Sequence, residues 1–481
     1  MKKQAFNPYL PSYEYVPDGE PYVFGDRLYV FGSHDAFSGE GFCINNYVCW
    51  SASVDDLGGW RYEGVIYDRM QDPLNKKGNQ FMNAPDVCRG ADGRYYLYYQ
   101  LHLDKGVSVA VADEPQGPYE FYGHVKHADG KRYGYRKKDA YAFDPAVFAD
   151  EDGRVYLYTG FSPDKGGFRF ILKLRGGEID GGYVVELEQD MLTVKGKQYE
   201  TVPGPIKAAG TPYEGHGFFE ASSMRKINRK YYFVYSSILS HELCYAVSDS
   251  PVGPFTYGGT LISIGDIGLD GVTEANARNF TGNTHGGMVN INGQWYIFYH
   301  RQTNQQKCAR QGCAEPLVID SDGQIAQAEM TSCGLNGGPL EGKGTYEARI
   351  ACNLWGAKGT FAYVELHHKE TEYPYFTQSG GDREENPDQY IANMRDGAVA
   401  GFKYFDFKET ETVSVRIRGT GTGEIDVFTD LDQKPAARIP VHVSESWNDF
   451  SAGISVGQGV YPLYFKYTGD GSIDFDRFRL R

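Results

Sequence analysis

Three carboxylates in this sequence occupy matching places in a repeated pattern. Asp18 stands eleven residues before Tyr29, Asp144 twelve before Tyr156 and Glu220 twelve before Tyr232, and each tyrosine lies in a short aromatic run. A fourth copy has His285 eleven residues before Tyr296. Equivalent points of a repeated unit converge when the units surround an axis, so the spacing predicts an axial acid cluster joined by one imidazole. Two carboxyl groups across a cleft are what glycosidic cleavage needs, one as proton donor and one as base or nucleophile. Taken singly, each acid has a plainer reading: Asp18 as a turn former, Asp144 before Pro145 as a turn initiator, Glu220 as a solvated strand end. Three at nearly one offset favour the chemical reading. The second copy has Ala84 and Pro85 at this offset with Asp86 just after, which makes Asp86 a candidate substrate contact. A one-residue slip reverses a side chain within a strand, so loop length must absorb the difference between eleven and twelve.

The elements that would position these residues recur five times. A turn residue followed by an aromatic-rich strand appears as GDRLYVFG (25–32), DGRYYLYY (92–99), DGRVYLYT (152–159), NRKYYFVY (228–235) and NGQWYIFY (292–299). Each reads as a tight hairpin turn leading into a half-buried strand. A second motif keeps the same frame, with VSVAVADEPQGPYEFYG (107–123) matching LCYAVSDSPVGPFTYGG (243–259). The aligned tyrosines are 67, 60, 76 and 64 residues apart, a period that suits propeller blades with long loops. The fold class expected is all-β: a five-bladed β-propeller over residues 1–335, then a second β domain.

Composition agrees. The 481 residues are 41 % hydrophobic and 15 % aromatic, with 60 glycines and 38 tyrosines, enough for a large core of turns and aromatic strands. A formal charge of −15 excludes nucleic acid and anionic membrane surfaces as ready partners. There is no apolar run of about 18 residues to span a bilayer. After Lys2 and Lys3, Asn7, Pro8 and Pro11 interrupt any apolar signal region, so the expected location is cytoplasmic, or a leader has been removed. The eight cysteines show no CxxC pair and no zinc spacing and read as buried thiols; Cys308 and Cys313 are spaced to permit a disulfide without requiring one.

The stretches NPYLPSYEYVPDGEPYVFGDRLYVFGSHD (7–35), APDV (84–87), FDPAVFADEDGRVYLYTG (143–160), FFEASSMRKINRKYYFVYS (218–236) and GNTHGGMVNINGQWYIFYHR (282–301) together resemble glycoside hydrolase family 43. The resemblance implies a five-bladed propeller acting with inversion, usually as β-xylosidase, α-L-arabinofuranosidase or arabinanase. It implies Asp18 as general base, Asp144 as the orienting, pKa-tuning carboxylate and Glu220 as general acid. It also implies His285 beside an axial calcium, sometimes through water, and Arg301 as a substrate contact. The family's usual Asp-Pro at the base is here Asp18-Gly19, which loosens the turn and keeps the carboxylate.

GLNGGPLEGKG (334–344) reads as a glycine-rich linker, assigned to 336–345. Beyond it the strand-like runs TYEARIACN, FAYVELHH, VSVRIRG, EIDVFTD and VYPLYFKY predict a β-sandwich over 346–481. YEARIA and the GVYPLYFKYTGDGSIDFDRFRL ending resemble carbohydrate-binding module family 6. Glu347 and Asp474 match that module's calcium carboxylates, but Arg349 stands where a second glutamate is common, and Gly471 and Ser472 replace a sugar-binding asparagine.

The function expected is exo-hydrolysis of terminal xylose or arabinofuranose from oligosaccharide or polysaccharide substrates of hemicellulose, with galactofuranose as an alternative sugar and calcium as the cofactor. Fructan hydrolases share the architecture but carry Trp-Met-Asn-Asp-Pro-like and Arg-Asp-Pro motifs, where this chain has Val16-Pro17-Asp18-Gly19 and Phe143-Asp144-Pro145. A lectin-like propeller is the non-enzymatic alternative, and the three intact acids argue against it.

Overall fold

The computed structural model describes residues 3–164, 169–170, 172–173, 176–363, 371–384 and 388–481. Its first two thirds form five antiparallel sheets in chain order, each a simple meander. The first comprises β1 (Glu20–Phe24), β2 (Arg27–Phe31), β3 (Tyr47–Ser53) and β4 (Asp56–Tyr67); the second β5 (Asp86–Arg89), β6 (Tyr95–Tyr99), β7 (Ser108–Ala112) and β8 (Glu120–His124). The third comprises β9 (Ala146–Ala149), β10 (Val155–Thr159), β11 (Gly181–Leu187) and β12 (Val194–Pro203). The fourth comprises β13 (Phe218–Ile227), β14 (Lys230–Ser237), β15 (Glu242–Ser248) and β16 (Thr256–Ser263). The fifth has three strands, β17 (Met288–Ile291), β18 (Gln294–Thr303) and β19 (Gln306–Pro316).

Every repeat tyrosine falls in the second strand of its sheet, paired with the first strand across the hairpin. First strands of different sheets adjoin: β5 with β9, β9 with β13, β13 with β17, and β17 with β1. Buried tyrosines further out tie one sheet to the next. Tyr98 Oη donates to Met191 O at 2.7 Å and Tyr158 Oη to Pro251 O at 2.7 Å. The phenol gives both a large apolar area and a satisfied polar tip, which explains why these strands favour Tyr over Phe.

The last third forms two six-stranded sheets. One contains Leu340–Glu341, Asn353–Trp355, Val399–Phe407, Thr422–Phe428, Ala437–His442 and Gly459–Asp470; the other contains Gly344–Glu347, Tyr375–Gln378, Gln389–Met394, Thr412–Gly419, Asn448–Gly453 and Ile473–Leu480. They share one core in which Phe402 and Phe465 meet Phe478 at centroid distances of 4.8 and 5.0 Å.

The glycine-rich stretch is not a free linker. Leu340–Glu341 pairs in parallel with Phe405–Asp406, and Gly344–Glu347 pairs antiparallel with Arg477–Leu480. Its glycines serve as corners, with φ of 75° at Gly337 and 145° at Gly344. The two parts of the chain are also bound by charge. Lys403 is 1 % exposed, and its Nζ reaches Asp266 Oδ2 at 2.9 Å and Glu329 Oε1 at 2.7 Å on the far side of the boundary. Breaking such a buried pair costs about 3–5 kcal/mol, so the boundary is a structural interface.

Candidate active site

Asp18, Asp144, Glu220 and His285 line one cavity of about 420 Å³, together with aromatic side chains that include Phe42, Tyr141, Phe143, Phe161 and Phe219. The strand register explains how unequal spacings reach equivalent places. Tyr29 pairs with Tyr22, four residues after Asp18, and Tyr156 pairs with Phe148, four residues after Asp144. The extra residue lies in the longer β9–β10 turn. Tyr296 pairs with Val289, four residues after His285. Tyr232 pairs with Arg225, five residues after Glu220, and register shifts on both sides of Glu220 absorb the excess. A bulge of this kind re-aims a side chain. Backbone strain marks the same points: Asp18, Asp144 and Ala221 have φ of 57°, 44° and 68°.

Asp18 is built to stay ionised. Its Oδ1 accepts from Arg310 Nη1 at 2.8 Å and its Oδ2 from the Ser33 hydroxyl. Its backbone N–H donates to His300 Nδ1 at 3.3 Å, while His300 Nε2 lies 2.8 Å from Asn283 O, which fixes His300 as the neutral Nε2–H tautomer. Burial pushes His300 down to about 3, in keeping with that assignment. Burial alone would raise the Asp18 carboxyl, but Arg310, His285 and Ser33 outweigh it and hold the group below the ordinary carboxylate range.

Glu220 is built to stay protonated. Burial, then the negative charges of Asp144 and Asp18, push it up to about 8. Asp144 is also raised, first by burial, although His285 Nδ1 stands 3.5 Å from its Oδ2. A parallel backbone bridge between Gly19 and Gly286 sets His285 beside Asp18, 4.0 Å from Oδ1. A Cβ at Gly286 would lie 2.0 Å from Phe298 O, so only glycine fits there. The carboxyls of Asp18 and Glu220 are thus pushed in opposite directions within one cavity. The expected kcat/KM profile is therefore a bell: activity is lost on the alkaline side as pH rises through about 8, and on the acid side only where Asp18 protonates, below the usual carboxylate range. A pH–rate series checks it.

Two residues expected at the substrate lie elsewhere. Arg301 is 2 % exposed and points away from the cavity; Nη1 and Nη2 donate to Ala351 O and Arg349 O at 2.6 Å each, and the guanidinium stacks 3.8 Å over Phe376. Adjacent strand residues face opposite sides, so His300 turns to the site and Arg301 to the C-terminal sheets. Asp86 is 1 % exposed and does not line the cavity; it accepts from Tyr22 Oη and Val147 N at 2.7 Å each. Tyr96 pairs with Cys88, four residues after Ala84, so Ala84 holds the equivalent position and lines the cavity.

The arginine that serves the site is Arg310. It lines the cavity, bonds Asp18, and grips Asp35 bidentately at 2.7 and 3.0 Å. It sits on β19 opposite Gln302, on the same side of the hairpin as His300. Pairing HRQT with its return strand CARQG would have placed it there. The C-terminal part supports this scaffold too. Asp382 Oδ1 accepts from Phe37 N at 2.8 Å, and Arg383 Nη1 donates to Glu14 Oε1 at 2.7 Å, on either side of the segment carrying Ser33 and Asp35.

The residues expected to hold calcium differ in fitness. Against the effect of burial, Asp144 and Asp18 push the His285 imidazole up to about 9, so a cation beside it would be met through water and not by a ring nitrogen. Glu20, whose charge is felt at His285, has a buried Oε1 without a hydrogen-bond partner. The unpartnered Oε1 of Glu20, with water, fits a hydrated hard cation, although Glu20 Oε2 is already held by Arg225 at 2.8 Å. Glu347 and Asp474 do not fit one. Glu347 binds Arg349 and sits across from Arg477, while Asp474 binds Arg418 at 3.0 Å. Arginines already neutralise both. Among the described residues, His216, Glu242 and Cys244 form a mixed donor cluster that the sequence reading did not single out.

Comparisons with known proteins give the chain's relatives. The model of the family described as Glycosyl hydrolases family 43 matches residues 14–325. A Xylosidase/arabinosidase of Thermoclostridium stercorarium is 49 % identical over 482 residues, covering 100 % of this chain and 99 % of that protein. A crystal structure of an arabinoxylan arabinofuranohydrolase from Bacillus subtilis in complex with cellotetraose matches 98 % of this chain and 97 % of its own, with a TM-score of 0.52 at 21 % identity. A β-xylosidase/α-arabinofuranosidase from a compost microbial metagenome, solved with xylotriose in a calcium-free form, matches 68 % of this chain and 98 % of its own, with a TM-score of 0.52 at 25 % identity.

Proposed function

The chain belongs to glycosyl hydrolases family 43, and from that premise we propose how its cavity divides the work. The protein is a glycoside hydrolase of the xylosidase/arabinofuranosidase type. The reading advanced here is exo-action with inversion on terminal xylose or arabinofuranose. Glu220 protonates the departing oxygen, Asp18 draws a proton from the attacking water, and Asp144 with His285 sets the field between them. The observation that carries this reading is the contrast between two carboxyls lining one cavity, Asp18 bonded to Arg310 at 2.8 Å and to Ser33, Glu220 buried near Asp144. Arg310 keeps the base charged and Glu220's burial keeps the acid loaded, so both are ready at neutral pH.

The five sheets are read as the blades of a five-bladed propeller over 1–335, and the two six-stranded sheets as a β-sandwich of the carbohydrate-binding-module type. A screen of nitrophenyl β-xyloside, α-arabinofuranoside and β-galactofuranoside tests the function. Release from either of the first two supports it, and turnover of the galactofuranoside alone, or of none, contradicts it.

Calcium is proposed as the cofactor beside His285, with Glu20 Oε1 and water as oxygen donors. Bound there, it would supply positive charge below the acid cluster. Exhaustive chelation is expected to lower activity and added calcium to restore it; unchanged activity with no metal detected by elemental analysis would remove calcium from the account.

A further inference from the structure

Three metal-ligating side chains meet beside the fourth sheet, and none of them lines the catalytic cavity. Glu242 and Cys244 stand two apart on β15 and so share a face of the strand, while His216 approaches them from the segment leading into β13. His216 Nδ1 lies 2.7 Å from Glu242 Oε1, Cys244 Sγ lies 3.3 Å from the same oxygen, and Sγ and Nδ1 are 3.9 Å apart. Zinc bonds of about 2.0–2.3 Å at tetrahedral angles separate neighbouring donors by about 3.3–3.6 Å. The three donors therefore already outline one face of a tetrahedron, each edge within about 0.6 Å of that spacing.

Neighbouring groups hold the donors in this arrangement. Glu242 Oε1 accepts from Ser237 Oγ at 2.6 Å and Oε2 from Thr260 Oγ1 at 3.0 Å, which fixes both carboxylate oxygens. The Tyr257 ring stacks on the His216 imidazole, with centroids 5.2 Å apart and planes 18° from parallel. Partners of this kind orient the ligands of a metal site and tune its affinity. Access is one-sided: Glu242 and Cys244 are buried, whereas the His216 side chain is 32 % accessible, so solvent reaches the open corner from the imidazole side. A His–Glu ion pair accounts for the imidazole and the carboxylate, but it leaves over the thiol aimed at the same oxygen.

The donor set selects the ion. Thiolate and imidazole suit zinc, whereas calcium takes six to eight oxygens and would find one carboxylate here. We propose that His216, Glu242 and Cys244 form a zinc site with water in the fourth position. On binding, Cys244 gives its proton to solvent, and His216 coordinates through Nδ1 as the Nε2–H tautomer. The ion ties the approach to β13 to the start of β15. The turn leading into Glu242 is fastened to the same segment, Ile238 N donating to Gly217 O at 3.0 Å, and its Ile238 and Ser240 line the catalytic cavity. Zinc is thus a staple behind one wall of the cavity and takes no part in the chemistry of the catalytic carboxyls.

The test uses the full chain, cleared of metal with a chelator and then given excess calcium to occupy hard-cation sites. It is dialysed against zinc and, separately, titrated with cadmium, whose bond to a thiolate gives an ultraviolet charge-transfer band. Wild type is expected to hold one zinc more per chain than Cys244→Ser, and to show the cadmium band that this variant lacks. Loss of an outer partner of a metal site costs about 10–100-fold in affinity, and His216→Gln, which removes a ligand, is expected to cost at least as much. No cadmium–thiolate band in the wild type would overturn the site, whether or not the variants fold. The same band and zinc content in Cys244→Ser, or unchanged zinc affinity in His216→Gln, would overturn it as well.

Discussion

Asp18→Asn is expected to lower kcat by about 10²–10⁴-fold whatever the leaving group, the usual worth of a positioned general base. Water must be activated in every turnover, so a better leaving group offers no rescue. Glu220→Gln is expected to behave differently. It loses a comparable factor on xylo-oligosaccharides, whose departing alkoxide needs a proton, and much less on nitrophenyl glycosides, whose phenolate leaves unaided. The structure supplies the reason for the contrast. Arg310 and Ser33 hold Asp18 as an anion, while burial and Asp144 hold Glu220 as an acid. Steady-state kinetics on both substrate classes checks the split; equal losses on both classes in Glu220→Gln would remove it from the role of acid.

Arg310→Gln is expected to damage stability and activity together. The guanidinium is 2 % exposed and lies between two buried carboxylates, Asp18 and Asp35. Removing the charge leaves both uncompensated, at a cost of about 3–5 kcal/mol. The sign with pH follows from Asp18. Its carboxyl is lowered in the folded protein, so its contribution to stability is present above the ordinary carboxylate pKa and lost as pH falls through the folded value. The gap in melting temperature between wild type and variant is therefore largest near neutral pH and narrows in acid. The acid limb of the variant's rate profile also moves to higher pH, because Asp18 no longer has its cation. Thermal melts taken from neutral pH down past the ordinary carboxylate pKa, with a parallel rate profile, measure both; a pH-independent gap with an unmoved limb would mean that Arg310 only fills space.

Much of the site was legible because its acids are tied to a strand that repeats. The tyrosine runs mark the second strand of each sheet, and counting back from them finds Asp18, Asp144, Glu220 and His285. What counting could not supply is register. The β9–β10 turn and the bulge at Glu220 each absorb one residue, and the same reasoning places Ala84, rather than Asp86, at the equivalent position of the second sheet. Arg301 and Arg310 show the other limit. A conspicuous arginine beside His300 drew attention, but strand alternation turns it toward the C-terminal part, and the arginine that pairs with Asp18 comes from the return strand of the hairpin. The glycine-rich stretch misled for a similar reason. Glycines that read as a flexible tether are corners between two short strands, each paired with a distant partner. Contacts between parts far apart in sequence, such as Asp382 with Phe37, leave no local trace at all.

The central claim is that Asp18 activates water while Glu220 protonates the leaving group, and the configuration of the first product tests it most directly. An inverting pair leaves room for a water between its carboxyl groups, roughly 6.5–9.5 Å, so the sugar is released with its anomeric configuration reversed. Proton NMR recorded in the first minutes of hydrolysis, before mutarotation, reads the anomer at once. The account predicts the α-anomer from a β-xyloside, or the β-anomer from an α-arabinofuranoside. Release of the anomer with the substrate's own configuration would make a carboxylate of this cavity a nucleophile and contradict the assignment of Asp18 as base.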